Sequence, residues 1–259
     1  AVTAAASVEL VHTATLVHDD FIDEASTRRG LATVNARWGA SAALIMGDVL
    51  DSKVFALLTA RQSHEQLAIL ARTTHQMSIA EMMQLEWKRR LDLSFEDYFT
   101  IIERKTASLI EASCEIGALL HPGLIEHRAA LADYGRKVGL AFQITDDIFD
   151  YRGDRRRLGK PVGGDWREGR ITLPFIAARA NAGSSERAEL DRAAQECEDP
   201  SVLWTDVRDF VQRHGGVDVA YDYAHRYGRE AKEALDGVTV TPQSDILATA
   251  ADYVLGRLQ

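Results

Sequence analysis

Apolar residues return every three or four positions along most of the chain, and the strict alternation of half-buried strands is nearly absent. Long Ala- and Leu-rich runs with only five prolines point the same way. The pattern predicts an all-α fold, with helices over 2–24, 38–60, 62–88, 94–120, 124–151, 171–182, 185–197, 201–214, 216–236 and 243–258. Local chemistry punctuates it. Ser94 with Asp97 reads as a capping box, His121-Pro122-Gly123 as a stop, and Gly215-Gly216 and Asp236-Gly237 as breaks that divide the C-terminal half into hairpins. Segment 152–170 is one long glycine- and charge-rich loop, of the kind that often carries function. No repeat of fixed period is present.

Composition narrows the function classes. A chain of 259 residues that is 46% hydrophobic can bury a sizeable core, in one large domain or two small ones. A net charge of -9 argues against a nucleic-acid partner, since phosphate backbones recruit a surplus of Lys and Arg. Cys114 and Cys197 stand in no CxxC arrangement, which predicts neither a disulfide framework nor a structural zinc site and points to a reducing cytoplasm. The most apolar stretch, 40–60, is interrupted by Asp48, Asp51 and Lys53, so it reads as a buried helix rather than a membrane span. The chain opens in helix-forming sequence with no basic leader, which predicts that earlier residues precede it.

Two acidic clusters stand out, Asp19-Asp20-Phe21-Ile22-Asp23 and Asp146-Asp147-Ile148-Phe149-Asp150. On a helix, residues i and i+4 share a face, so Asp19 pairs with Asp23 and Asp146 with Asp150. Such like-charged pairs repel by roughly a few tenths of a kcal/mol each unless a cation sits between them. Magnesium is suited to that role, being a hard ion held by one or two carboxylates plus substrate phosphates, and manganese is a possible substitute. One such cluster could be solvated surface. Two, each preceded by an apolar run, fit the mouth of a buried pocket better. Cations lie nearby in sequence or at helix ends: Arg28, Arg29, Lys105, Lys160 and Arg170.

Taken with the stretches HTATLVHDDFIDEASTRRG, NARWG followed by GDVL, KTASLIEASCEIGA, and GLAFQITDDIFDYRGD running into LGKPVGGDWREGRITLP, these residues resemble the trans-prenyltransferase family of polyprenyl synthetases over nearly the whole chain. The resemblance implies an isoprenoid-synthase-type helical bundle around a deep central cavity. It also implies a homodimer, and condensation of an allylic diphosphate with isopentenyl diphosphate. Carried over by residue, Asp19 and Asp23 hold two magnesium ions and Asp146 a third. Asp147 and Asp150 support the third, and Asp20 completes the set. Arg28, Lys105 and Lys160 grip the allylic diphosphate, Arg29 helps hold isopentenyl diphosphate, and Arg170 stands where the family often has Lys. Thr106 and Gln143 lie beside the reacting allylic carbons. No Ser-His-Asp set is needed, because the hard step is departure of diphosphate, after which the isopentenyl double bond attacks the cation.

The family's Gly-Lys-Arg-x-Arg-Pro stretch upstream of the first cluster does not fall within this chain. The implied domain is thus a single polyprenyl synthetase domain over 1–259 without its N-terminal helices. Product length is read from the helix before Asp19, one turn of which rises about 5.4 Å, close to one isoprene unit. Ala14, Thr15 and Val11 are small there, which favours a product longer than C20; Phe55, Met82 or Met83 are the alternative plugs. A class I terpene cyclase would mix Asn, Ser or Thr and Glu into its second motif, which here is a full DDIFD. A non-catalytic partner subunit would be expected to lose one cluster. A di-iron bundle would need a second Glu-x-x-His beside Glu9 and His12.

Overall fold

The computed structural model describes residues 1–152, 162–197, 199–238 and 242–256. Lys160 lies outside the described residues, as does most of the loop predicted for 152–170. The described chain is almost entirely helical, as the 3.6-residue period requires. Helices α1 (Val2–Ile22), α2 (Val34–Trp38), α3 (Ala40–Ala60) and α4 (His64–Glu86) form the first half of the bundle. The predicted helix 94–120 is α5 (Phe95–Ile102), a widened π-helical turn (Glu103–Ala107) and α6 (Ser108–Leu119). Then come α7 (Arg128–Arg152), α8 (Gly164–Arg167), α9 (Leu173–Asn181), α10 (Ser184–Glu196), α11 (Trp204–Arg213), α12 (Gly216–Glu233) and α13 (Pro242–Gly256).

The punctuation holds. Ser94 and Asp97 form both bonds of the capping box. The chain leaves α6 at Leu119 into a 3-10 turn, Pro122–His127. Gly215, in the left-handed region at φ 66°, separates α11 from α12. Three details differ from the sequence reading. The helix predicted from 38 starts at Ala40, because Gly39 at φ 88° separates it from α2, a short helix outside the predicted elements. A two-residue hairpin pairs Thr27 with Ala32 and Arg28 with Leu31, too short for alternation to register. Helix α8 occupies part of the predicted loop.

Burial along α1 explains how the first acidic cluster is placed. Ala4, Ser7, Val11, Ala14 and Val17 form one inward stripe, and Asp20 is the next position on it. Ala4 and Val11 of the stripe pack with Val54, Leu58, Ile69, Leu70 and Ile116 of α3, α4 and α6. A second core, containing Tyr98, Ile144, Ile148, Phe175 and Phe210, joins α5, α7, α9 and α11. A third, containing Ala118, Tyr134, Ala231 and Val254, joins α6, α7, α12 and α13. Helix α7 takes part in the last two and carries the second acidic cluster at its C-terminal end. At Gly139 a Cβ would stand 2.5 Å from the Ala107 Cα, so glycine lets α7 lie directly against the π-helical turn.

Candidate active site

The ends of α1 and α7 face a common cleft of about 510 Å³. Asp19, Asp20, Asp23, Asp146, Asp147 and Asp150 all line it, together with Arg28, Lys105, Thr106, Gln143 and Arg170. Residues more than a hundred positions apart in sequence are thereby brought to one place.

The carboxylates have different surroundings. Asp20 is 6% exposed and its Oδ1 accepts from Arg28 Nε at 2.8 Å. Arg28 reaches it from the hairpin, which Asn35 and Thr33 anchor: the Asn35 amide donates to the Asp20 and Ala25 carbonyls and the Thr33 hydroxyl to Ala25 O. Asp19 is half-buried, and burial raises its pKa to about 6 against the pull of Lys105, with Glu81 and Asp23 adding repulsion. Asp147 is buried. It takes a 2.6 Å bond from the Tyr98 hydroxyl on Oδ2 and a 2.8 Å bond from Gln143 Nε2 on Oδ1. Burial and the charge of Asp165 nevertheless hold its pKa well above the usual carboxylate range. Asp150 accepts from the N–H groups of Gly164 at 2.9 Å and Asp165 at 3.0 Å. Burial and Asp165 still push it to about 6. Asp146 is exposed to the cleft.

Cations and polar groups are held in place. Lys105 and Thr106 belong to the π-helical turn, a distortion often found at functional positions. The Lys105 ammonium is paired with Glu81 and donates to Gln84 Oε1 at 2.8 Å. Thr106 Oγ1 donates to Gln143 Oε1 at 2.8 Å, so the amide is fixed at both ends, by Thr106 and by Asp147. Arg170 spans the two halves of the cleft. It bonds Asp165 at 2.9 Å, reaches Asp23 at 3.3 Å and pairs with Glu168. Against burial, which pulls it down, those carboxylates hold its pKa above the ordinary guanidinium value.

Arg29 is placed elsewhere. With Gly30 it forms the hairpin tip, both at positive φ (51° and 79°) as a two-residue hairpin turn requires, and its side chain is exposed outside the cleft. Ala14 and Val11 are buried below Asp19, and Thr15 is half-buried with its hydroxyl donating to His12 O. Phe55 and Met82 are exposed on the outer sides of α3 and α4, while Met83 is half-buried. Sequence reasoning missed Glu81, Gln84, Tyr98, Asp165 and Glu168. Only the last two carried a signal, as acidic residues in the segment flagged for its glycines.

Among the described residues, no three His, Cys, Asp or Glu side chains already converge as a closed metal site. The oxygen-only donors sit instead at the ends of α1 and α7, on the two helices that face the cleft. Residues 1–204 match the Polyprenyl synthetase family. The chain belongs to the polyprenyl synthetases. It is 36% identical over 257 residues to a short chain isoprenyl diphosphate synthase of Methanothermobacter thermautotrophicus, covering 98% of this chain and 78% of that protein. Its structure superposes with TM-score 0.90 on a decaprenyl diphosphate synthase from Rhodobacter capsulatus, at 33% identity, covering 100% of this chain and 79% of the other. A polyprenyl synthase from Caulobacter crescentus, solved with calcium and isoprenyl diphosphate, gives TM-score 0.88 at 36% identity, covering 98% and 77%. This polyprenyl synthetase is a trans-prenyltransferase that joins isopentenyl diphosphate head to tail to an allylic diphosphate, forming a linear trans-polyprenyl diphosphate and diphosphate. No helix among the described residues is long and apolar enough to cross a membrane.

Proposed function

We propose that this prenyltransferase works with magnesium, extends its product beyond C20, and acts as a homodimer in the cytoplasm. The observation that carries the metal is the charge of the cleft. Among the described residues, eight acidic side chains line it against three basic ones, Arg28, Lys105 and Arg170. A diphosphate brought to such a surface is repelled unless divalent cations come with it. The donors fit a hard ion: all are carboxylate oxygens, and burial, with the repulsion of neighbouring carboxylates, raises the pKa values of Asp19 and Asp150, a penalty on the ionised forms that a bound cation offsets. Bound magnesium supplies that compensation and stabilises the departing diphosphate.

The chain's own residues do the rest. Asp19, Asp23 and Asp146 are the ligands offered to the metal, with Asp20, Asp147 and Asp150 held by Arg28, by Tyr98 and Gln143, and by the N–H groups of Gly164 and Asp165. Arg28, Lys105, Arg170 and Lys160 hold the allylic diphosphate. Gln143 Oε1 turns a carbonyl dipole toward the allylic cation while Thr106 keeps it oriented. The small, buried Ala14 and Val11 beneath Asp19 support a long product, with Thr15 beside them. Exposed apolar residues on α3 and α4, among them Ile45 at 61% and Met82 at 65%, support a subunit interface there. A chain carrying both acidic clusters on one cleft favours catalysis over a non-catalytic subunit.

The deciding experiment incubates the protein with farnesyl diphosphate, labelled isopentenyl diphosphate and magnesium, and resolves the products by length. The expected result is linear chains beyond C20 from the wild type, shortened by several units in Ala14→Tyr, and none with excess chelator. Cyclic hydrocarbon, a C20 product from the wild type, or turnover without metal would each overturn the corresponding part.

A further inference from the structure

Helix α1 ends on a carboxylate. Asp23 is its C-cap, where the last carbonyls disfavour a negative charge, and the last turn of α1 carries no basic residue. The compensating charge comes from across the cleft. Among the described residues, the cation paired with Asp23 is Arg170, whose Nη1 stands 3.3 Å from Asp23 Oδ2. The same guanidinium bonds Asp165 Oδ1 through Nε at 2.9 Å and pairs with Glu168 through Nη2. Three nitrogens thus meet three carboxylates, and one of these, Asp23, is among the ligands offered to metal.

The backbone that carries Arg170 is held on both sides. Its own N–H donates to Asp165 O at 2.7 Å, and Gly169 O accepts from Arg89 N–H at 2.8 Å. Gly169 holds φ 78°, and a Cβ there would stand 2.8 Å from Lys88 Cγ, so the segment lies tight against the turn after α4. The side chains of the pair are freer, at 26% exposed for Arg170 and 31% for Asp23. An ion pair of that exposure is weak enough to open. Release of Arg170 from Asp23 is therefore a rotation of one side chain, with the segment left in place.

We propose that Arg170 is a latch across the cleft: it occupies Asp23 in the free chain, so a divalent cation arriving alone has to displace it, whereas diphosphate draws the guanidinium off Asp23 and admits metal and substrate together. A divalent cation and a guanidinium on the same carboxylate repel each other at close range. Diphosphate removes the conflict, because its oxygens accept the guanidinium's paired donors. The inference rests on the cleft being a metal–diphosphate site, and it adds the order in which that site fills.

The test reads binding rather than turnover. Manganese affinity is measured on the full chain from the electron paramagnetic resonance of the free ion, first alone and then with inorganic diphosphate. Arg170→Lys keeps the charge but places it on a single nitrogen, giving up the three-way division of donors. This variant is expected to bind manganese alone about two- to fivefold more tightly than the wild type, the range of one partly exposed ion pair. It is also expected to gain less affinity when diphosphate is added, since only in the wild type does diphosphate also remove a competitor. Arg170→Gln is expected to bind manganese alone at least as tightly as Arg170→Lys. Unchanged manganese affinity in Arg170→Lys overturns the latch even if Arg170→Gln binds more tightly, because loss of any nearby positive charge would do that. A gain from diphosphate as large in Arg170→Lys as in the wild type overturns it too. If the wild type binds no manganese with diphosphate present, the reading of the cleft itself fails and the latch with it.

Discussion

Asp19 offers a direct measure of what the site costs the fold. Burial raises its pKa from 3.8 to about 6, so the ionised form is penalised in the folded chain when no metal is bound. Between those two values the folded state holds more proton than the unfolded one, so this group lowers stability as the pH rises through that window. The full penalty, on the order of 1–3 kcal/mol, is present above about pH 6. Asp19→Asn keeps the shape and removes the charge. In chelator at pH 8 the variant is expected to unfold at higher urea than the wild type by that free energy. The difference should fall to about half by pH 5 and nearly vanish toward pH 4. Magnesium with diphosphate should stabilise the wild type and leave the variant unmoved. Turnover of the variant should collapse. An Asn variant no more stable than the wild type at pH 8, or one whose advantage grows as the pH falls, would show that burial does not penalise this carboxylate.

Three further outcomes follow from named contacts. Tyr98→Phe removes the 2.6 Å donor from the buried Asp147 and should destabilise the chain by about 1–3 kcal/mol in urea unfolding; an unchanged midpoint would mean that Gln143 alone satisfies the group. Gly163 sits at φ 77° with the Trp204 ring 2.5 Å from where a Cβ would stand. Gly163→Ala should therefore lower the melting temperature and, by moving the Gly164 and Asp165 N–H groups, reduce kcat. Ile45→Glu places a charge on the exposed apolar side of α3 and should give a monomer by light scattering; a dimer of unchanged mass would locate the interface elsewhere.

The sequence revealed most where the physics is local and periodic. The helix over 2–24 and the shared face of Asp19 and Asp23 could be read from spacing, whereas the buried stripe from Ala4 to Val17 continues into Asp20 beside them. Capping at Ser94 was equally legible, since the box is a three-residue interaction. The contacts of the site were less so. Tyr98 meets Asp147 across 49 positions and Lys105 meets Gln84 across 21, and only tertiary packing creates either pair. Arg29 and Arg28 look equivalent as neighbours. The hairpin turn separates them, sending one to Asp20 and the other to the tip. Glu103 to Ala107 has ordinary helix-forming composition, so nothing in its propensities distinguishes a π-helical turn from an α-helical one.

That turn also limits how the chain can change length. A π-helical turn accommodates one residue more than the α-helix around it, so deleting any single residue between Glu103 and Ala107 would leave a continuous α-helix from Phe95 to Leu119. The new helix would satisfy its own hydrogen bonds and keep its two flanks in phase, because a turn that holds one extra residue carries the chain about as far around the axis as the α-helical turn that replaces it. Tyr98 and Ile102 on the flank would keep their present neighbours, and the side chains re-aimed would be those inside the turn, Lys105 and Thr106 among them. A single-residue deletion here, unlike one in the neighbouring loops, is expected to pass as a well-formed helix and still draw Thr106 away from Gln143, by closing the widened turn that presents it.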